Sequence, residues 1–373
     1  MICEIFLESF KNFYKGVDKK KEGVIYMEAQ EKMTAKVFMN KILQGTALGV
    51  IIGLIPNAVL SAILKYFSQY PLAVQITQIA VIFQLATPLI IGALIALQFG
   101  FKPMPMMVTA GASFVASGVV KFNPELGKYV GAGTGDLINT MLTAAIAVLA
   151  LMWIKDKFGS TAVVAMPIVV GVGASFIGLQ LLPFVAKLTA AIGAVINEFT
   201  HLQPILMSIL IVCSFAFLII SPISTVAIGL AIQLNGVSAG AAAMGVAVTA
   251  VVLVVHSWKV NNSGVTLAIA LGAMKLMMPN LFKYPIILVP TLTTAVISAI
   301  PVALFSVSGT PQSAGFGLVG LVGPLASIDA GLSIVLAVVT WLVVPVVVAL
   351  ASKFVYEKML KLYDSNVVFK FQQ

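Results

Sequence analysis

The chain has 373 residues, of which 60% are hydrophobic and 9% are charged, and its mean hydropathy is +1.08. Soluble domains carry about 25% charged residues, so this composition excludes an ordinary soluble enzyme and predicts a polytopic membrane protein. All 22 basic residues are lysines, and they lie at the termini and between apolar runs, as expected for spans in a lipid bilayer. The net charge of +9 therefore does not indicate a nucleic-acid partner.

The two cysteines give no sign of covalent or metal chemistry. Cys3 and Cys213 lie far apart in different contexts, so they predict neither a disulfide framework nor a metal site. We expect no cofactor and no catalytic residue of the chain's own.

Residues 1–41 are expected to form a cytoplasmic N-terminal segment. Residues 1–26 are rich in lysine and lack the long apolar core of a signal peptide. The Lys-Glu-Gly triplet at 21–23 can be encoded by a purine-rich ribosome-binding site shortly before Met27, so we hypothesise that Met27 is the true start and that residues 1–26 are not translated. Residues 28–41 are predicted to form a short amphipathic helix at the membrane interface.

Apolar runs over residues 42–352 predict an all-α transmembrane domain of about ten helices, with re-entrant or broken segments. Lysines flank this domain on both sides, and residues 353–373 are a Lys-rich tail, so both termini are expected in the cytoplasm. In chain order, the predicted spans are residues 42–64, interrupted by Pro56-Asn57, then 74–101, 103–120, 136–154, 158–186 and two within 202–255. The last two are separated near Ser221-Pro222 and Asn235-Gly236. Two crossings or half-crossings at 260–274 and 284–305 and a last span at 330–352 follow, with a polar loop at 121–128 and an interfacial or bent segment at 187–200.

One uncharged stretch, Gly309–Pro324, reads GTPQSAGFGLVGLVGP and contains too many helix breakers for a continuous span. Freed backbone groups at membrane depth must be buried in protein or line a watery cavity, which is how transporters build binding sites from half-helices. We therefore expect a solute-recognition loop with Thr310, Gln312 and Ser313 as its hydrogen-bonding groups. The alternative is that its glycines serve helix packing alone.

A second polar cluster, His256–Ser263, lies between two apolar spans. His256 and the paired amides of Asn261 and Asn262 could hydrogen-bond a hydroxyl-rich ligand, and Trp258 could stack on it. The alternative is a solvated loop with an interfacial tryptophan.

Besides His256, six ionisable residues stand in or beside the apolar regions, where charges are costly and often functional: Asp136, Glu198, His201, Lys259, Lys275 and Asp329. Asp136 follows Gly-Thr-Gly and either caps a helix or serves a site. Glu198 and His201 either bind substrate or lie at the membrane surface. Asp329 either acts in the cavity or caps the final helix.

Four motifs, at residues 133–142, 221–230, 256–264 and 309–324, read GTGDLINTML, SPISTVAIGL, HSWKVNNSG and GTPQSAGFGLVGLVGP. Together they resemble the membrane IIC component (EIIC) of the bacterial phosphoenolpyruvate-dependent sugar phosphotransferase system, and more narrowly its stand-alone PfoR-like branch. The resemblance covers about residues 30–355. It implies a homodimeric sugar-transporting unit of about ten spans that works with separate IIA and IIB proteins.

One departure from that family concerns phosphorylation. Many sugar-handling members place a carboxylate against the sugar in a Gly-x-x-Glu or His-Glu loop, whereas the counterpart here ends in Gln312. A glutamine hydrogen-bonds a hydroxyl but does not accept its proton. The substitution weakens the case for phosphorylation more than the case for binding.

The leading hypothesis is a permease subunit in the inner membrane that binds a small polar, sugar-like solute between Gly309–Pro324 and His256–Ser263. Bound solute would move by alternating access. Two alternatives stay open: a non-catalytic membrane sensor or regulator on the same scaffold, and an ion-coupled transporter that uses Asp136, Glu198 or Asp329.

Overall fold

The computed structural model describes residues 33–131, 133–155, 157–311 and 313–372. Residues 39–373 form one compact unit, and the cavities and packing contacts below belong to it. The hypothesis of a start at Met27 and the first part of the helix predicted over residues 28–41 concern residues outside the described ones.

Helices make up nearly all of the regular structure, because apolar helices satisfy their backbone hydrogen bonds internally. In chain order they are α1 (Ala35–Leu64), α2 (Pro71–Leu85), α3 (Thr87–Gln98), α4 (Pro103–Ala116), α5 (Leu137–Ile154), α6 (Gly159–Phe199), α7 (Pro204–Ile220), α8 (Thr225–Ala231), α9 (Gly236–Ser257), α10 (Ser263–Ala270), α11 (Met278–Lys283), α12 (Leu288–Leu304), α13 (Val322–Asp329), α14 (Ile334–Met359) and α15 (Ser365–Val368). An antiparallel hairpin pairs β1 (Val120–Asn123) with β2 (Lys128–Gly131). The predicted all-α polytopic membrane fold is confirmed.

Six helices among the described residues are long and apolar enough to cross a membrane, or seven if the bent pair α2 and α3 counts as one span. The axis of that pair turns by 47° where Pro88, in the first turn of α3, cannot donate a backbone hydrogen bond. Helices α4, α7 and the segment Val319–Asp329 are apolar but shorter. The count of ten spans and the cytoplasmic side of the termini stay predictions.

Three predicted helix boundaries are wrong. Helix α1 runs unbroken from Ala35 through Pro56 to Leu64, so no separate interfacial helix ends at Lys41 and the first span is not interrupted at Pro56-Asn57. Helix α6 likewise continues past Lys187 to Phe199. The side chain of Lys187 is exposed on the helix surface, so its charge does not need a break in the chain.

The polar loop predicted around residues 121–128 is the β-hairpin. Asn123 accepts hydrogen bonds from the backbone N–H groups of Glu125 and Leu126, and Gly127 takes a positive φ of 59°. These turn contacts reverse the chain and allow the two short strands to pair.

The core is formed by two sets of helices. In the larger set, α9 is buried along nearly its whole length and packs against α7, α12 and α14. Gly245 allows the close approach to α7, because a Cβ atom there would lie 2.9 Å from the Cβ of Phe215. The smaller set consists of α4, α5 and α6, which share a second cluster of buried apolar side chains.

Helix α1 presents a ridge of glycines to α3, formed by Gly45, Gly49 and Gly53. A Cβ atom at Gly49 would lie 2.6 Å from the Cα of Ile91, and one at Gly45 would lie 2.5 Å from the Cα of Ile95. Small residues at this four-residue spacing allow two membrane helices to approach backbone to backbone. The ridge fixes α1, and with it the wall residue Leu54 of the cavity described next.

Candidate functional site

A cavity of about 520 Å³ lies between the helices that precede residue 200 and those that follow it. Its polar lining comes from separate elements: Gln84, Ser117, Lys121, Thr134, Asp136, Thr189 and Ser224. Apolar side chains, Leu54, Leu182, Ile223 and Phe316 among them, complete the wall. Cavities of this size with a few polar groups on an apolar wall are typical of small-molecule sites.

Asp136 supplies the one carboxylate among the described residues that line this cavity. It caps α5, because its Oδ1 accepts a hydrogen bond of 2.8 Å from the backbone N–H of Asn139, so the predicted cap is confirmed. The same side chain also faces the cavity. Burial raises the pKa of the Asp136 carboxyl, although hydrogen bonds from the backbones of Asn139 and Ile138 and from the Thr189 side chain act in the opposite direction.

The loop before α5 brings the backbone close to the cavity space. Gly133 and Gly135 both have a positive φ, at 70° and 67°, which side chains rarely tolerate. A Cβ atom at Gly135 would lie 2.7 Å from the Cβ of Ser117. The glycines therefore allow the loop to fold against the end of α4 while Thr134 lines the cavity.

Residues 221–227 form the opposite wall, where the sequence predicted a break between two spans. Helix α7 ends before Ser221-Pro222, and the Ser224 hydroxyl caps α8 by accepting from the backbone N–H of Ala227 at 3.2 Å. The buried Thr225 hydroxyl donates to the backbone carbonyl of Gly315 at 3.0 Å. This wall is therefore attached to the stretch Gly309–Pro324.

The stretch Gly309–Pro324 is broken as predicted, with two short 3₁₀ turns before α13 begins at Val322. Gly309 and Gly236 exchange two backbone hydrogen bonds of 2.9 and 3.1 Å, which anchors the start of the stretch to α9. Gly315 lies against α8, because a Cβ atom there would be 2.6 Å from the Cγ2 of Val226. Phe316 then reaches the cavity.

Two of the residues predicted to recognise a solute in this stretch, Thr310 and Ser313, hydrogen-bond each other instead. Thr310 is exposed and Ser313 is buried, and each caps the other: the Thr310 N–H donates to the Ser313 hydroxyl at 2.8 Å and the Ser313 N–H donates to Thr310 Oγ1 at 3.2 Å. These bonds shape the loop, and neither residue lines the cavity. Gln312 lies outside the described residues.

Lys275 is a buried cation that the sequence analysis did not select as a site residue. It lies in the 3₁₀ turn Met274–Met277 between α10 and α11, and its Nζ donates to the backbone carbonyls of Ser221 and, at 2.9 Å, of Ile223. Burial lowers the pKa of the Lys275 ammonium to about 7. The signal for it in the sequence was a single lysine between apolar runs, with no indication of its partners.

His256 packs against the C-terminal residues of the chain rather than into the cavity. It is fully buried, its Nε2 lies 2.9 Å from the Tyr363 hydroxyl, and its ring stacks on Phe369 at 4.3 Å between centroids. Its Nδ1 lies 2.8 Å from the carbonyl of Val252, so both ring nitrogens have partners.

The amides of the same cluster also have structural partners. Asn262 caps α10 by accepting from the N–H of Val265 at 2.9 Å. Asn261 binds the backbone of Phe369 and Phe371 at 2.8 Å each. Asn280 of α11 donates to the carbonyls of Val368 and Lys370, also at 2.8 Å. The predicted tail therefore folds back onto the domain.

Glu198, His201 and Asp329 are exposed, and none of them lines the cavity. Asp329 is the last residue of α13 and forms an ion pair of 3.7 Å with Lys65. Its predicted role as the cap of the final helix is wrong, because Ser333 caps α14 by accepting from the N–H of Leu336 at 3.3 Å.

The described residues contain no group of three or more His, Cys, Asp or Glu side chains that could hold a metal ion. A family model described as the EIIC component of the phosphotransferase system matches residues 40–369 of the chain. No curated protein and no solved structure shows significant similarity to it.

Proposed function

The chain belongs to the EIIC family of the phosphotransferase system, and we propose that it holds a small uncharged sugar in the cavity between Asp136 and the 221–227 wall. As a family member it is a multi-pass membrane subunit of a sugar-transporting system. The observation that carries the proposal is the cavity itself. It brings three of the four family-like motifs together, through Asp136, Ser224 and Phe316.

The chemistry of the lining favours a polyhydroxylated solute without net charge. Asp136 is a hydrogen-bond acceptor, Lys121 is a donor, and Gln84, Thr134 and Thr189 offer both functions. One carboxylate and one ammonium balance each other, so the lining does not select a strongly charged ligand. Leu182 and Phe316 supply apolar surface for the less polar face of a sugar ring.

The surroundings of the cavity fit alternating access. Its walls come from a glycine loop, a helix break and a broken stretch, and such discontinuous segments form the midplane sites of transporters. Helix α6 of the smaller set lines one side of the cavity, and the 221–227 wall with α8 lines the other, so a change in their relative position would open it to one side or the other. We expect a homodimer, and phosphorylation of the solute would require a separate IIB protein, since EIIC subunits work with IIA and IIB partners.

The first experiment measures binding. The detergent-purified chain is titrated with glucose, N-acetylglucosamine, mannitol and cellobiose, and a saturable rise in melting temperature identifies the sugar. We expect this rise to be absent from Phe316→Ala and present in Asp329→Asn, which changes an exposed carboxylate outside the cavity. Equal responses of the two variants would remove the cavity from consideration.

The second experiment separates the possible functions. Vesicles containing the chain are supplied with the general phosphotransferase components and candidate IIA and IIB proteins, and sugar uptake is measured with and without phosphoenolpyruvate. Uptake that depends on phosphoenolpyruvate supports the permease. Sugar binding without uptake would favour a sensor, and uptake driven by an imposed proton or sodium gradient would favour an ion-coupled transporter.

A further inference from the structure

Lys275 is placed where a charge is expensive. Only 6% of its surface is exposed, and the residues that share its small cavity are uncharged side chains from α1, α5, α7 and α8, together with Gly315, Phe316 and Val319 of the broken stretch. No ion pair to Lys275 is found among the described residues. A charged side chain retained in such surroundings needs a specific partner.

Its partners are backbone carbonyls at one point of the fold. Ser221 and Ile223 flank Pro222, directly after the end of α7, where carbonyl groups have no helical donor. An ammonium group there satisfies these carbonyls and also complements the negative end of the helix dipole. Pro222, Ile223 and Ser224 line the larger cavity, whereas Lys275 lines the small cavity. Lys275 therefore binds this wall without lining the larger cavity itself.

We propose that Lys275 is a positioning residue that fixes the 221–224 wall of the cavity while it is protonated and holds that wall less firmly once it loses its proton, because the hydrogen bonds of a neutral amine lack charge assistance. The segment between α10 and α11, which carries Lys275, would thereby control access to the cavity. Only the effect of this wall on access of a sugar to the cavity rests on the proposed function. The experiment below needs no sugar, so a failure to bind sugar and a failure of this mechanism are separate results.

The expected direction follows from the burial of the ammonium. With a pKa of about 7, the protonated form prevails below neutral pH and the neutral amine above it. The residues that line the small cavity with Lys275 are not titratable, and Asp136 and Lys121 line the larger cavity instead. The wall should therefore loosen as the pH rises through neutrality.

The test measures the accessibility of the wall to a reagent in water. Ile223→Cys is introduced into a chain in which Cys3 and Cys213 are replaced by alanine, and its reaction with a charged methanethiosulfonate is timed at about pH 6 and about pH 9. Ala186→Cys of α6, which lines the same cavity but has no bond to Lys275, serves as the control for the pH dependence of thiol chemistry. Relative to this control, the Ile223→Cys rate should rise about tenfold, as the neutral fraction of a group with such a pKa does.

Substitutions at Lys275 decide whether the lysine is responsible. Lys275→Met should give the fast reaction already at about pH 6, and Lys275→Arg, which stays charged, should keep it slow at about pH 9. Lys283→Met, at a lysine in the last turn of α11, should react like the chain with Lys283 and Lys275 both present. Gel filtration and melting temperature confirm that each variant is folded, and if Lys275→Arg does not fit, the other variants still decide.

Equal Ile223→Cys rates with Lys275 and Lys275→Met at about pH 6 would overturn the proposal. A pH response of Ile223→Cys no larger than that of Ala186→Cys would overturn it as well.

Discussion

The hydroxyl of Thr225 donates a hydrogen bond of 3.0 Å to the backbone carbonyl of Gly315, which lies 90 positions further along the chain. The two residues belong to different broken segments, and both segments contribute to the cavity. Because Thr225 is 2% exposed, water cannot replace its hydroxyl at this carbonyl. The 221–227 wall and the stretch Gly309–Pro324 therefore form one continuous surface.

Replacing this hydroxyl should loosen that surface without changing its shape. We expect Thr225→Val to lower the free energy of unfolding by about 1–3 kcal/mol, because the buried carbonyl of Gly315 loses its donor. Thr225→Ser keeps the hydroxyl and should lose less. The measurement is thermal unfolding in detergent, and equal losses in the two variants would show that the methyl group matters and the hydrogen bond does not.

A substitution at Asp136 should distinguish its role as a helix cap from its role in solute binding. Asparagine also caps helices well, so Asp136→Asn should keep α5 intact while it removes the charge from the cavity. We expect sugar binding to weaken about tenfold, since hydrogen bonds to charged groups contribute more than neutral ones. Titration calorimetry with the sugar found in the binding experiment measures this, and Glu198→Gln, at an exposed carboxylate, should bind like the unmodified chain.

The same variant has an expected pH dependence. Burial raises the pKa of Asp136 in the folded chain, so above its unfolded value of 3.8 the folded state holds this proton more firmly than the unfolded state. The contribution of Asp136 to stability is then largest at low pH and is lost as the pH rises through the folded pKa. Asp136→Asn should lose less stability than the unmodified chain over this range, and an unchanged pH profile would contradict the expectation.

The sequence predicted the helical class and the break at Ser221-Pro222 correctly because both are local properties, whereas the predicted breaks near Lys41 and Lys187 do not exist. The break at Ser221-Pro222 and the cap at Asp136 follow from residues that are adjacent in the chain. The site is a property of distant residues, so its lining was largely missed: Thr189 lies in no motif, and Phe316 lies in a motif from which only Thr310, Gln312 and Ser313 were selected. The polar run at His256–Ser263 resembled a binding cluster, although its amides bind the chain's own backbone.

The glycine ridge of α1 can be tested with a matched pair of variants. Gly49→Ala should lower the free energy of unfolding by about 1–3 kcal/mol, the usual cost of overpacking, because its Cβ would meet the backbone of Ile91. Gly111→Ala makes the same chemical change in the middle of α4, where a Cβ meets nothing within 4 Å, and should be neutral or stabilising. Similar melting temperatures for the two variants would contradict the close contact between α1 and α3.

The docking of the C-terminal residues gives a last prediction, which concerns local rather than global stability. Phe369 is fully buried, and the Asn280 amide holds the chain on both sides of it by donating to the carbonyls of Val368 and Lys370. Asn280→Ala removes both bonds, so this end of the chain should open more often while the domain stays folded.

Trypsin reports that opening, since it cleaves after Lys370 only when the residues around Lys370 detach from Asn280 and Asn261. We expect cleavage at least about tenfold faster in Asn280→Ala, because the loss of two hydrogen bonds shifts the opening equilibrium by about that factor. Intact-mass analysis over time follows the reaction. Asn366→Ala, at an exposed asparagine of the same segment, should be cleaved at the rate of the unmodified chain, and an equal rate in Asn280→Ala would show that the amide does not hold the segment in place.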